Sequence, residues 1–203
     1  MAVYTISTRF LAEMLKKAEN KPALKKDRVK YDGISENDLP EISNYLKACN
    51  FKREDWIILI GSMPLWLALA LINIVYPVEV SFHHRNFGAI PLKINQPKGK
   101  GYSRNLRFSI EERGEFICLS FKFIRDAIFD YTDLKYIIPP KIPSGKGLVI
   151  FAPSRCPNWF FCSIAMSYRN ETEWIAVLEI NRDEAIVVFS RSSEMILGQT
   201  IKI

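Results

Sequence analysis

The sequence has few residues that could build a metal or disulfide site. Its four cysteines form no CxxC pair and each lies in an apolar run, and its two histidines are adjacent, at His83 and His84. Structural zinc sites need spaced cysteine and histidine ligands, so this set argues against one. The opening residues, MAVYTISTRFLAEM, lack the long apolar segment of a secretion signal. We therefore expect reduced thiols, no export and a cytoplasmic location.

Extremes of composition are absent too. Of the 203 residues, 48% are hydrophobic and 25% are charged, which argues against a disordered chain and permits one or two domains with a real core. The net charge of +6 divides evenly between residues 1–95 and the remainder. One basic run, Lys98, Lys100, Arg104 and Arg107, contains no acid. This run is either a solvated linker or a basic rim for an anionic ligand.

The sequence does contain a repeated apolar pattern. The stretch Trp56–Tyr76 has a short apolar run, a turn, a proline and a longer apolar run, and Lys146–Tyr168 repeats this order. The Pro-x-Trp motif at Pro64 recurs at Pro157. The short runs are rich in β-branched and aromatic residues, as in strands buried on both faces, and proline suits the first turn of a helix. Each copy therefore predicts a strand, a turn and a helix.

A membrane-spanning helix is the alternative interpretation of the first copy, because about twenty apolar residues can span a bilayer. Against it, Pro64 would lie inside the span, where an ordinary helix loses about 3 kcal/mol. The second copy also carries a charged residue, Arg155, at the equivalent turn. We therefore expect both copies to be buried in a globular fold, with no stable membrane insertion.

The repeat predicts an α/β (α+β) fold of two tandemly duplicated small sheet-plus-helix domains related by pseudo-twofold symmetry. The first domain is residues 1–95 and the second is residues 105–203, while the Pro, Gly and Lys content of residues 96–104 indicates a basic linker. Ser7 and Ser35 are expected to begin helices ahead of the first buried strand. Each half is expected to end in two strands.

Two groups of small and polar residues precede the predicted helices. They are Gly61, Ser62 and Met63 in the first copy, and Ser154 and Arg155 in the second. The N-terminus of a helix presents free backbone N–H groups and the positive end of its dipole to anions. Both turns are therefore candidate phosphate-binding sites.

The tetrad FHHR lies at the end of a predicted strand, where functional side chains are often presented. At such a position His83 or His84 could act as a base and Arg85 could stabilise negative charge. Adjacent residues of a strand point to opposite faces, so at most one of the two histidines faces a ligand. The alternative is that both histidines only cap a hairpin.

The second half resembles a known family through residues 139–161, PPKIPSGKGLVIFAPSRCPNWFF, and residues 174–188, WIAVLEINRDEAIVV. These are similar to the CRISPR-associated ring nucleases of the small type first described as a manganese-dependent RNA deadenylase. The first half is similar more faintly, through DGISENDLPEIS, GSMPLWL and FGAIPL. The whole chain thus resembles a tandem fusion of two diverged family domains.

The resemblance implies binding of cyclic tetra-adenylate, the second messenger of type III CRISPR immunity, and its cleavage to linear products by 2′-hydroxyl attack. Two turns related by a pseudo-twofold axis would suit a symmetric ring of phosphates. The resemblance also implies a homo-oligomer, a dimer, because family members enclose the ring between dimers. It makes manganese a possible cofactor without establishing that any cofactor is required.

The resemblance carries over to individual positions only in part. Arg155 stands at the family's turn arginine. The family's His and its Asp-x-Arg turn are incomplete in both halves, with His83 and Arg85 at the Asp and Arg positions of the first half. Glu179 and Asn181 take those positions in the second half. The expected ligand-binding residues are Gly61, Ser62, Met63, Ser154, Arg155, Glu179, Asn181 and Arg182.

Several functions therefore stay open at this point. The incomplete His, Asp and Arg set favours a non-catalytic sensor or sponge for cyclic oligoadenylate, whereas FHHR favours cleavage. Glu179 with Asp183 could hold manganese, although acids on an exposed turn are more often solvated. An RNA-binding or deadenylating protein and a membrane-associated scaffold are the alternatives from other classes.

Overall fold

A computed structural model of the chain describes residues 1–19, 33–92, 98–102, 106–124, 131–153, 156–180 and 182–203. The helices are α1 (Thr8–Glu19), α2 (Leu39–Ala48), α3 (Leu65–Val75) and α4 (Asn158–Met166), with 3₁₀ turns at Glu36–Asp38 and Tyr131–Tyr136. The strands are β1 (Val3–Ser7), β2 (Trp56–Ile60), β3 (Glu79–His84), β4 (Gly88–Pro91), β5 (Lys100–Tyr102), β6 (Leu106–Arg113), β7 (Phe116–Phe123), β8 (Ile138–Pro140), β9 (Gly147–Phe151), β10 (Trp174–Leu178), β11 (Glu184–Ser190) and β12 (Thr200–Lys202).

The two larger sheets share one strand arrangement. In the first, β1, β2 and β3 run parallel and β4 returns antiparallel to β3. In the second, β7, β9 and β10 run parallel and β11 returns antiparallel to β10, with β6 and β12 added at the two edges. The α/β (α+β) class is therefore confirmed. Tandem duplication as the origin of this likeness stays a prediction, as do the domain boundaries.

Local sequence signals explain where several elements begin. The Ser7 hydroxyl accepts a hydrogen bond from the Phe10 backbone N–H at 3.1 Å, so it caps α1 as predicted. Ser35 precedes the first 3₁₀ turn, and its backbone N–H donates to the Asp38 carboxylate at 2.7 Å. Arg113 and Gly114 form the predicted hairpin turn between β6 and β7, since Gly114 takes a φ of +59°.

The two apolar helices form a layer between the two larger sheets. Helix α3 belongs to the first half but packs against β10 and β11, and α4 belongs to the second half but packs against β3. The helices also contact each other. Nearly every residue of α3 is buried, which explains why its sequence is apolar on all sides. No helix within the described ranges is both long enough and apolar enough to cross a membrane.

The predicted linker is structured where it is described. Residues Lys100–Tyr102 form β5, which pairs antiparallel with β8 in a sheet of its own. The Lys98 ammonium lies 2.6 Å from the Glu171 carboxylate and 4.0 Å from the centre of the Tyr168 ring. Only 11% of the Lys98 side chain is exposed. This lysine is therefore engaged within the protein and is not part of a solvated basic rim; Arg104 lies outside the described residues.

Candidate functional site

The first predicted turn follows β2 and leads into α3. Gly61 has a φ of +84°, in the left-handed region that glycine adopts without strain, and this conformation turns the chain away from the sheet. Ser62 is exposed, whereas only 4% of Met63 is exposed. Pro64 occupies the N-cap position of α3. The turn thus presents its serine to solvent at the N-terminus of a buried helix.

The first residue of helix α4 contacts the first turn directly. The Asn158 side chain, in the first residue of α4, donates a hydrogen bond from Nδ2 to the Met63 carbonyl oxygen at 2.9 Å. The N-termini of α3 and α4 therefore lie side by side, as a pseudo-twofold arrangement requires. Ser154 and Arg155 precede α4 and lie outside the described residues.

The N-terminus of α3 is already occupied by a carboxylate. Glu179 follows β10, and its Oε1 accepts a hydrogen bond from the Leu65 backbone N–H at 2.8 Å. Burial raises the pKa of Glu179, and the hydrogen bonds from the Leu65 and Trp66 backbone, together with the Arg182 charge, oppose that rise. A negative group at this position complements the helix dipole. Glu179 thus takes the place that the sequence suggested for a phosphate.

Arg182 connects this carboxylate to the first half of the chain. Its Nε lies 3.9 Å from Glu179 Oε2, and its guanidinium donates to Glu36 Oε1 at 3.3 Å. Two carboxylates therefore share one guanidinium. Among the described residues, Arg182 acts first as an internal counter-charge, and a phosphate would have to compete with Glu36 and Glu179 for it.

Replacing Glu179 with glutamine is expected to change how stability depends on pH. Because burial raises the folded-state pKa of Glu179, folding favours the protonated carboxyl. That contribution is complete below the unfolded pKa of about 4.3 and is lost as the pH rises through the folded pKa. Glutamine still offers an oxygen to the Leu65 N–H. Urea unfolding of both proteins between pH 4 and 7 should show wild type losing stability relative to Glu179→Gln as pH rises; a relative gain would contradict the assignment.

The FHHR residues end β3 and begin the turn to β4. Phe82 pairs with Ile90 and lies beside the buried Leu59 of β2. Because side chains alternate along a strand, His84 shares the helix-covered face with Phe82, and His83 lies on the opposite face. His83 is exposed, His84 is half-buried and Arg85 is exposed. His84 is therefore the histidine on the same face as α3 and α4.

His84 is held in a defined orientation. Its Nδ1 accepts a hydrogen bond from the Asn86 backbone N–H at 3.2 Å, so the neutral ring carries its proton on Nε2. The ring stacks on Phe87 with centroids 4.7 Å apart, and Phe87 contacts Tyr131 of the second half at 5.7 Å. In this arrangement Nε2 is a hydrogen-bond donor that can serve a phosphate oxygen.

The structure brings together only part of the predicted site. Met63, Glu179 and Arg182 lie in one network, whereas no hydrogen bond or ion pair in the described ranges joins that network to the FHHR residues. Asn181 lies outside the described residues. In those same ranges no group of three or more His, Cys, Asp or Glu side chains is placed to hold a metal ion.

Two contributors were missed by the sequence interpretation. Asn158 joins the N-terminus of α4 to the Met63 carbonyl, and Glu36 pairs with Arg182. The signal for Asn158 was present, because it is the middle residue of the second Pro-x-Trp motif, where the first copy has Leu65. A polar residue at one copy of an otherwise apolar motif indicates a contact specific to that copy. No comparable signal marks Glu36, since its partner is distant in sequence.

The comparison with known proteins supports one part of the resemblance. Residues 122–202 match the sequence model of a family described as CRISPR-associated protein (Cas_csx3). The match covers β10, β11, α4 and the predicted second turn, and it is less than half of the chain. No curated protein matches the chain. The second half of this protein is therefore similar to a family of CRISPR-associated proteins.

Proposed function

We propose that the protein binds cyclic oligoadenylate, specifically cyclic tetra-adenylate, in the cytoplasm during type III CRISPR antiviral signalling. The similarity of residues 122–202 to a CRISPR-associated family supports the setting. The observation that carries the proposal is the hydrogen bond from Asn158 to the Met63 carbonyl, which places two helix N-termini side by side. A ring of phosphates with twofold symmetry can contact both turns at once.

The two turns are not equivalent as phosphate sites. At α3, the Glu179 carboxylate already accepts the Leu65 N–H. The first turn of α4 carries no acidic residue, and a helix leaves its first N–H groups without intrahelical partners. The principal phosphate therefore binds at the N-terminus of α4, next to Asn158.

Cleavage of the ring is the catalytic form of this proposal. A 2′-oxygen forms a bond to the adjacent phosphorus, its proton passes to water, and the P–O5′ bond breaks. The leaving 5′-oxygen takes its proton from water, while His84 Nε2–H, in the orientation fixed by Asn86, donates a hydrogen bond to a phosphate oxygen. Arg85 stabilises the developing charge. Manganese remains a possible cofactor of this step.

A sensor that binds the ring without cutting it is the second candidate. One observation favours it. The Glu179 carboxylate accepts a hydrogen bond from the N-terminus of α3 and forms an ion pair with Arg182, so it does not act as a base in this arrangement. The protein would then hold the ring and signal or sequester it. A homodimer that encloses the ring from both sides fits either candidate.

Binding and turnover of radiolabelled cyclic tetra-adenylate test the proposal. The full chain is mixed with the ring, with and without manganese, and gel shift and products are followed together; linear tetra-adenylate, cyclic hexa-adenylate and poly-adenylate are the competitors. A shift with linear products identifies a ring nuclease, and a shift without products identifies a sensor. Preference for poly-adenylate, or no shift at all, would overturn the proposal.

Replacing Asn158 with aspartate is expected to weaken ring binding about tenfold or more. The substitution puts a negative charge at the proposed phosphate position and removes the donor to the Met63 carbonyl, and an interaction with a charged group contributes about 1.5–3 kcal/mol. Asn50→Asp is the matched control, because Asn50 is exposed and adopts a positive φ that aspartate tolerates. Equal ring affinity of the Asn158 and Asn50 variants would show that the N-terminus of α4 is not part of the ring-binding site.

A further inference from the structure

A cavity lies at the C-terminal ends of the two central helices, α3 and α4. Its volume is about 520 Å³, within the range of small-ligand pockets. Tyr76, directly after α3, and Arg169, shortly after α4, both line it. Since α3 has eleven residues, this cavity lies about 16 Å along the helix from the Met63 turn. It is therefore distinct from the proposed ring-binding surface.

Arg169 is oriented into this cavity by three neighbours. Its guanidinium carbon lies 3.8 Å from the centre of the Tyr76 ring and 4.6 Å from that of Phe189. Its Nε donates to the Oδ1 of the buried Asn73 at 3.0 Å. With two aromatic rings close to the guanidinium and Nε engaged, the terminal N–H groups remain as a planar fork.

The cavity is cationic and lacks a counter-charge. Lys47 lines it together with Arg169, and no aspartate or glutamate does. Within the described ranges, no carboxylate forms an ion pair with either cation. Burial lowers the pKa of Arg169; Tyr76 opposes that change and the neighbouring Arg191 adds to it. Arg169 is half-buried, whereas Lys47 is exposed.

The remaining walls show what else a ligand would contact. Ser43 and Asn44 of α2 supply polar groups, while Ile74, Val188 and Met195 supply an apolar wall. Methionine adapts its shape to flat organic groups. Two cations that line one cavity favour a dianion over a monoanion, and a guanidinium fork matches phosphate oxygens in a bidentate manner.

We infer that this cavity is a binding site for a phosphate monoester of nucleotide size, with the phosphate on Arg169 and Lys47 and the organic group against the Met195 wall. The inference does not depend on the proposed ring binding, because the two sites share no residue. Both halves of the chain supply the cavity, so it exists only in the assembled fold.

Isothermal titration of the full chain with adenosine monophosphate, adenosine and inorganic phosphate tests this inference. The monophosphate should bind about tenfold or more tightly than adenosine, because adenosine leaves both cations unpaired. It should also bind more tightly than phosphate alone, which lacks contact with the apolar wall. Equal affinities for monophosphate and adenosine, or for monophosphate and inorganic phosphate, would overturn the inference.

Two substitutions locate the binding event. Lys47→Gln, at an exposed position, and Arg169→Lys, which keeps the charge but removes the fork, should each weaken the monophosphate by about tenfold. Arg53→Gln is the matched control, since Arg53 is exposed and does not line the cavity. Unchanged affinity in both Lys47→Gln and Arg169→Lys would place the nucleotide elsewhere. Ring binding should be unaffected by either change.

Discussion

Replacing His84 with alanine is expected to slow cleavage of cyclic tetra-adenylate by about 10²–10³-fold, the usual contribution of one preorganised hydrogen-bond donor to developing negative charge. His84 lies on the helix-covered face of β3, and the Asn86 N–H fixes its proton on Nε2. Ring affinity should stay within about threefold, because most contacts are made at the two turns. Single-turnover rates and gel shifts on the same preparations measure the two quantities separately.

His83 provides the internal control for this experiment. It is the adjacent residue and has the same side chain, but it lies on the opposite face of the strand and is exposed. His83→Ala should therefore retain most of the activity, and the double variant should behave like His84→Ala. Unchanged turnover in the double variant would contradict a catalytic role for the FHHR residues. A larger loss from His83→Ala than from His84→Ala would assign the role to the other face.

Replacing Phe161 with alanine is expected to lower the free energy of unfolding by about 3–5 kcal/mol. Phe161 has no exposed surface, and its ring lies 6.2 Å from that of Phe121 on β7. Helix α4 also packs against α3 and β3, so the substitution should destabilise both halves of the chain. Urea unfolding followed by circular dichroism gives the magnitude. Hydrogen exchange by mass spectrometry should show β2 and β9 losing protection together.

Tyr136→Ala is the control for the Phe161 experiment, because 63% of Tyr136 is exposed and surface substitutions change stability by about 0.5 kcal/mol or less. If the Phe161→Ala variant does not fold, Phe161→Leu gives a milder test of the same position. Loss of protection confined to the second sheet, with β2 unchanged, would show that the halves unfold independently and that the shared core does not couple them.

The sequence predicted the parts of the fold that depend on local composition. Buried strands leave uninterrupted apolar runs, which is why β2 and β9 were found at the expected places, and Pro64 and Pro157 marked the starts of the following helices. Gly114 marked its hairpin for an equally local reason, the need for a positive φ. These signals require no knowledge of distant neighbours.

The candidate site was less predictable because its contacts join the two halves. The Glu179 carboxylate reaches the Leu65 N–H across 114 residues of sequence, and no spacing rule relates them. An acid after β10 was interpreted as a ligand contact, whereas the fold uses it to cap a helix. Residues 96–104 were likewise predicted as a linker from their composition, yet β5 pairs with β8 because Ile138–Pro140 approaches it in space.

The Met63–Asn158 contact has a further consequence for how the protein works in the cell. When two separate subunits form a symmetric surface, dilution dissociates it, and ligand affinity then depends on protein concentration. Here one polypeptide supplies both turns, so their effective concentration is set by chain connectivity. The pairing of the two helix N-termini is therefore independent of protein concentration.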